Sequence, residues 1–137
     1  MKLVATALFG VESVVADELV ALGYPRENIK VTDAQIILDP GSQAAAAQAI
    51  ARANLWLRSA ERVLAALTSF IAKDFDALFD NTRAFPWEDW IPSQAVFVVN
   101  GYSRKSILFG IPSCQRIIKK AIVARLLHAA GLPDNAQ

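Results

Sequence analysis

The chain has 137 residues, of which 54% are hydrophobic, and a formal net charge of +1. A chain of this size forms one ordinary domain or two very small ones, and its hydrophobic content argues against disorder. No apolar run approaches the roughly 18 uncharged residues needed to span a bilayer, so we expect no membrane partner. The lone Cys114 has no partner for an internal disulfide, and with the lone His128 it falls short of a four-ligand zinc site. This cysteine usage favours a reducing, cytoplasmic setting.

Apolar spacing in the first half of the chain predicts a small unit of strands and helices. The clearest helix runs from Val11 to a stop at Gly23, with an apolar face formed by Val11, Val14, Val15, Leu19 and Leu22. The other predicted elements are strands 3–8, 29–31 and 35–38, a helix 44–57 capped by Ser42, and a strand 63–71. The alanines of residues 63–71 are also compatible with a helix. The order βαββαβ is that of a ferredoxin-like split βαβ unit.

The second half of the chain predicts helices on either side of an irregular middle. In order, we expect a helix 75–82 capped by Asp74, a packed turn 85–92, a strand 95–99, a short helix or loop 103–109, and a long helix from Pro112. The long helix should stop at Gly131, which is followed by Leu132 and Pro133. The predicted fold class is therefore α+β.

Positive charge is concentrated in the second half of the chain. Residues 1–82 carry seven Lys or Arg against ten Asp or Glu, whereas residues 83–137 carry seven against three. No acid occurs between Asp89 and Asp134. Six basic residues lie in this interval: Arg104, Lys105, Arg116, Lys119, Lys120 and Arg125. Such segregation favours a polyanion-binding face, although a modest excess is also common on surfaces that bind nothing charged.

The predicted long helix has two different faces. Arg116, Lys119 and Lys120 follow i, i+3, i+4 spacing and so share one face. An apolar stripe lies beside them, formed by Ile117, Ile118, Ala121 and Ile122. We expect the apolar stripe to pack and the basic face to meet an anionic partner.

Catalytic signatures are missing from the sequence. There is no GxGxxG, GxxxxGK[ST], HExxH or GxSxG pattern. His128 reads as a structural or surface residue rather than a base, because no nucleophile or acid is spaced to work with it. Cys114 reads as a small packed residue, with an activated thiol near a helix N-terminus as the alternative. Glu88 and Asp89 are adjacent and would point in different directions, which argues against a paired-carboxylate site.

Two further groups allow two interpretations each. The aromatic residues Phe85, Trp87 and Trp90 either pack locally or stack on unpaired bases. Arg52, Arg58 and Arg62 recur along one helix and its exit, where they either form solvated ion pairs or contact phosphate.

Four segments resemble a known family in order and spacing. They are TALFGVESVVADELVALGY (6–24), ANLWLRSAERVL (53–64), FDALFDNTRAFPWEDWIP (75–92) and SRKSILFGIPSCQRIIKKAIVARL (103–126). Together they resemble the N-terminal region of THUMP-containing bacterial methyltransferases that modify guanine N2 in 23S ribosomal RNA. The resemblance implies a ferredoxin-like domain (1–72), a partial THUMP domain of α/β type (73–137) that grips RNA, and a separate domain that uses S-adenosylmethionine.

The sequence departs from this family in two respects. The family's catalytic domain has no counterpart here, so no catalytic, cofactor-binding or metal-binding residue is carried over. The resemblance also implies that the THUMP unit lacks strands that complete its sheet. Val123 and Leu127 lie on the same face as Lys119 and Lys120, so that face becomes apolar towards its C-terminal end and we expect it to be uncovered.

The leading hypothesis is an RNA-binding segment that positions the substrate of a methyltransferase. Its expected RNA contacts are Arg104, Lys105, Arg116, Lys119 and Lys120. Its expected partners are structured RNA of the large ribosomal subunit and either the methyltransferase domain or a partner protein. The alternative is a protein-interaction module that docks a partner through the apolar helix end and binds no RNA. A complete enzyme is the weakest candidate.

Overall fold

The computed structural model describes residues 1–103 and 105–133 of the chain. It divides into two compact units, of which the first is Met1–Ser69 and the second takes in the described residues from Phe70 onward. No helix within the described ranges is both long enough and apolar enough to cross a bilayer.

The first unit is a four-stranded antiparallel sheet with two helices. Its elements are β1 Lys2–Thr6, α1 Glu12–Ala21, β2 Ile29–Thr32, β3 Gln35–Leu38, α2 Gln43–Trp56 and β4 Arg62–Ala66, with a short 3-10 turn at Arg26–Asn28. The strands lie in the order β2-β3-β1-β4. This order and the βαββαβ connectivity confirm the ferredoxin-like prediction.

The last strand is shorter than the sequence predicts. The sequence predicts a strand over residues 63–71, with a helix as the alternative, whereas the structure has a strand that ends at Ala66. Among the described residues, β4 pairs with β1 alone, and the register runs from Thr6 opposite Arg62 to Lys2 opposite Ala66. Since β1 begins at Lys2, the residues after Ala66 have no backbone partner on that side, and an unpaired strand cannot persist.

The core of the first unit lies on one face of the sheet. Leu3 and Ala5 of β1 are fully buried, as are Ile36 and Leu38 of β3, while the residues between them are partly exposed. This alternation is typical of a sheet covered on one face only. Ala46, Ala49 and Ala53 supply the buried positions of α2. Their small side chains allow the helix backbone to approach the sheet closely.

Val14 does not belong to the core face that the sequence predicts. It is 46% exposed, whereas Val15, Ala16 and Leu19 of the same helix are fully buried. Successive helical residues are about 100° apart around the axis, so Val14 falls outside the stripe centred on these three residues.

The helix ends confirm the capping signals in the sequence. Gly23 and Gly131 both have positive φ, at +97° and +70°. After α1, the Gly23 amide donates to the Val20 carbonyl at 2.9 Å and the Tyr24 amide donates to the Leu19 carbonyl at 3.2 Å. This pair of bonds is a Schellman motif. At the N-termini, Ser42 Oγ accepts a hydrogen bond from the Ala45 amide at 3.1 Å, and Asp74 Oδ1 accepts one from Ala77 at 2.7 Å.

The second unit is built from two helices and a long irregular segment. Helix α3 spans Phe75–Ala84, a short 3-10 turn follows at Trp87–Asp89, and α4 spans Ile111–Ala129. The helices pack against each other. Their buried residues are Leu78 and Thr82 of α3 and Ala121, Ile122, Ala124 and Leu126 of α4.

The predicted strand over residues 95–99 is wrong. These residues have no regular secondary structure, and no strand is found among the described residues of the second unit. Val96 and Val98 are 99% and 78% exposed, whereas Phe97 and Val99 are partly buried. The period-2 alternation of a strand is therefore present, but no described segment pairs with these residues as a strand requires. The described residues of 103–109 form a loop rather than a helix.

Truncation of Leu19 to alanine should destabilise the first unit strongly. The side chain is fully buried, so Leu19→Ala should cost about 2–5 kcal/mol of unfolding free energy. Val14→Ala on the same helix is the matched control and should change stability by less than about 1 kcal/mol. Urea unfolding followed by far-UV circular dichroism measures both. Equal effects of the two substitutions would contradict the assignment of the core face.

Candidate nucleic-acid interface

Helix α4 presents the predicted basic residues to solvent. Arg116, Lys119 and Lys120 are all exposed. On the other side of the helix, Ala121 and Ile122 are buried and Ile117 and Ile118 are partly buried. Both predicted faces are therefore present, since the apolar stripe packs and the basic residues point outward.

The charges on this face are not neutralised by neighbouring acids. Within the described part of the chain, Arg116, Lys119 and Lys120 make no ion pair, in keeping with the absence of Asp and Glu between residues 89 and 134. Lys105 is also exposed, in the loop before α4. Arg104, the remaining predicted RNA contact, lies outside the described residues. We name Arg116, Lys119 and Lys120 the basic face of α4.

Arg125 belongs to the same run of charge but makes a different contact. Its Nε donates to Glu88 Oε2 at 2.9 Å and its Nη2 donates to Glu88 Oε1 at 2.5 Å. The two side chains are 29% and 32% exposed. This bidentate pair ties the turn after α3 to α4, so Arg125 is structural. Its partner lies 37 residues upstream, which helix spacing does not reveal.

The Glu88–Arg125 pair shifts the titration of both groups. Hydrogen bonds from Arg125, reinforced by a backbone amide, lower the pKa of Glu88 to about 2. The same contact raises the pKa of Arg125 above its ordinary value. Glu88 is therefore a charged anchor and not a proton donor near neutral pH.

The aromatic cluster packs against the end of α3. Trp87 Nε1 donates to the Thr82 carbonyl at 2.6 Å, and Thr82 Oγ1 donates to the Leu78 carbonyl at 2.6 Å. The rings of Phe85 and Trp87 lie 4.7 Å apart between centroids and are tilted by 58°. The indole thus satisfies a carbonyl at the helix C-terminus, which favours the packing interpretation over base stacking.

The apolar end of α4 is partly covered, contrary to expectation. Val123 and Leu127 are partly buried. They line a cavity of about 250 Å³ together with Phe97 and Leu132. The irregular segment before α4 therefore lies beside a surface that the sequence predicts to be bare.

The other sequence candidates are not members of the basic face. His128 is exposed near the end of α4, and Cys114 is partly buried in its first turns. Arg52, Arg58 and Arg62 belong to the first unit, are exposed, and make no ion pair within the described ranges. Among the described residues, no three His, Cys, Asp or Glu side chains come together in an arrangement suited to a metal ion.

Comparison with known protein families agrees with this architecture. The profile of the RlmL ferredoxin-like domain matches residues 2–64, and that of the THUMP domain matches residues 72–130. The chain is an RlmL ferredoxin-like domain followed by a THUMP domain. Helices α3 and α4 both fall within the THUMP domain, so the basic face of α4 is part of it. The resemblance to the N-terminal region of THUMP-containing RNA methyltransferases and the predicted α+β fold class are confirmed.

Similar proteins are named as methyltransferases. YpsC of Bacillus subtilis (strain 168), named as an RNA methyltransferase, is 46% identical over 129 residues, which cover 94% of this chain and 31% of YpsC. The ribosomal RNA large subunit methyltransferase K/L of Syntrophotalea carbinolica is 32% identical over 125 residues, which cover 91% of this chain and 16% of that protein. A protein from Listeria monocytogenes str. 4b F2365, named as an N6-adenine-specific DNA methylase, has a crystal structure that matches this one with a TM-score of 0.83 and 44% sequence identity. The match covers 96% of this chain and 33% of the Listeria chain. The chain thus spans about a third or less of these proteins.

Acid should weaken the contact between Glu88 and Arg125. A carboxylate whose folded pKa is depressed stabilises the protein fully above its unfolded pKa, about 4.3, and this contribution is lost as pH falls towards 2. Carboxyl NMR should show Glu88 titrating near pH 2, and Arg125→Met should move its midpoint back towards 4.3. A Glu88 midpoint near 4 in the unmodified chain would contradict the bidentate geometry.

Proposed function

We propose that this chain is the RNA-binding, substrate-positioning part of an RNA methyltransferase. The observation that carries the proposal is the basic face of α4, which lies in the THUMP domain, is exposed, and makes no ion pair with any described residue. A surface of this kind binds a polyanion because phosphate contacts release condensed counterions. YpsC and methyltransferase K/L are named as enzymes that act on RNA, which favours RNA as the polyanion.

Phosphate contacts from the basic face would set affinity and orientation rather than sequence preference. Arg116, Lys119 and Lys120 span about one helical turn, so they can reach neighbouring phosphates of one backbone. Lys105 would extend the contact from the loop. Arg104, which the run of positive charge also predicts as an RNA contact, lies outside the described residues. The role of such a surface is to hold structured RNA so that a target nucleotide reaches a catalytic domain.

The finer identity of the reaction rests on the family resemblance. It favours large-subunit ribosomal RNA as the substrate, guanine N2 as the methylated atom and S-adenosylmethionine as the methyl donor. The Listeria protein carries a name that specifies adenine in DNA, so the comparison of RNA with DNA is part of the test. We assign no residue of this chain to the methyl donor. We propose a domain boundary between residues 72 and 73, close to the start of the THUMP match at residue 72.

Charge reversal on α4 tests the proposal. Lys119→Glu with Lys120→Glu should weaken binding of structured RNA at least ten-fold. The slope of log K against log salt concentration should become less steep by about 2, one for each phosphate that is no longer neutralised. Fluorescence anisotropy at two salt concentrations measures both effects. Lys30→Glu with Lys73→Glu is the matched control, since both lysines are exposed, lie off α4 and change the net charge equally.

Three outcomes would count against the proposal. RNA binding that does not depend on salt would exclude phosphate contact, and equal losses in the two double variants would show that only net charge matters. Tighter binding of duplex DNA than of structured RNA would reassign the substrate class.

A further inference from the structure

A cavity of about 340 Å³ lies in the THUMP domain between the loop before α4 and the first turns of that helix. It is lined by Leu78, Val99, Asn100, Gly101, Tyr102, Ser103, Ser106, Leu108, Ile111, Cys114, Gln115 and Ile118. Its volume falls in the range of small-molecule sites in proteins. Neither the basic face nor the Glu88–Arg125 pair uses it.

The lining combines apolar walls with a few polar groups. Leu78 and Ile118 come from the two packed helices, and Ile111 lies at the start of α4. The lining residues include Asn100 from the loop and Gln115 from the helix, and the side-chain amide of each offers two donors and an acceptor. A lining of apolar walls and two amide-bearing residues suits a flat heterocycle that carries hydrogen-bonding edges.

Positive charge flanks the cavity on two sides. Lys119 follows Gln115 by four residues and therefore lies on the same side of α4, one turn further along. Lys105 lies in the loop between Ser103 and Ser106, which both line the cavity. A ligand held here would place a heterocycle inside and negative charge at the rim, and this is the chemistry of a nucleotide.

We propose that this cavity receives one unpaired base of the RNA bound along the basic face of α4. The inference rests on the proposed RNA-binding function and adds a preference for RNA with unpaired nucleotides. A base in a duplex is stacked and paired, so it cannot enter, whereas a base in a loop or bulge can be turned out at small cost. The phosphates would then provide affinity and the cavity would select single-stranded positions.

The single cysteine provides a direct probe of the cavity. Cys114 lines it and is partly buried. An RNA hairpin with an unpaired loop, at saturation, should slow alkylation of Cys114 by N-ethylmaleimide at least five-fold. A blunt duplex with the same stem, also at saturation, should leave the rate within two-fold. Binding of both RNAs is measured separately by anisotropy.

Substitution of the amides provides the second arm. Asn100→Ala with Gln115→Ala should weaken hairpin binding about ten-fold and leave duplex binding unchanged, because only an inserted base meets these groups. Gln48→Ala, an exposed glutamine on α2, is the control and should change neither affinity. Circular dichroism confirms that the variants are folded.

The outcomes separate this inference from the function on which it rests. Binding of both RNAs with equal protection of Cys114, or with none, overturns the base site and leaves the RNA-binding function standing. Absence of binding to either RNA overturns both.

Discussion

The packing of α4 against α3 is the constraint on which the THUMP domain depends. Ala121 and Ile122 are buried, and rotation of the helix about its axis would bring this stripe into water. The helix has one favourable orientation as a result. Because Arg116 and Lys119 lie on a different face, the burial that holds α4 in place also keeps its positive charge in solvent. Packing and charge presentation are two effects of one arrangement.

The basic residues of α4 have two different roles. Arg125 lies opposite Glu88, and their bidentate contact joins the turn after α3 to the C-terminal half of α4. The same turn holds Trp87, whose indole nitrogen donates to a carbonyl at the end of α3. Residues nearer the start of α4 have no acid within reach in the described structure. The helix is thus anchored through its C-terminal half and carries its unpaired charge on its N-terminal half.

The two domains differ in how their extended segments are satisfied. In the ferredoxin-like domain each of the four strands has a partner, and the buried side of the sheet is covered by α1 and α2. In the described part of the THUMP domain, residues 95–99 alternate between exposed and partly buried without joining a sheet. This segment instead lies beside α4, where Phe97 contributes to the cavity that Val123 and Leu127 also line. It therefore shapes the surface around the basic face.

Local signals in the sequence determined most of the secondary structure and, in the candidate site, the basic face of α4. The caps at Ser42 and Asp74 and the stops at Gly23 and Gly131 act within a few residues of each helix end, so they are legible in the sequence. The two faces of α4 follow from helical periodicity for the same reason. Strand content was harder to predict, because a strand depends on a distant partner. Residues after Ala66 and residues 95–99 have strand-like composition and no such partner among the described residues.

Tertiary structure alone decided which side chains work together. It paired Arg125 with Glu88 and so removed one cation from the run of charge that the sequence displays. It placed Val123 and Leu127 under partial cover, and it brought Asn100 and Gln115 to the same cavity. These contacts join residues from different elements, which sequence spacing does not encode. The sequence by itself determined that one helix carries a basic face, and the packing of the domain decided which of its charges remain available to a ligand.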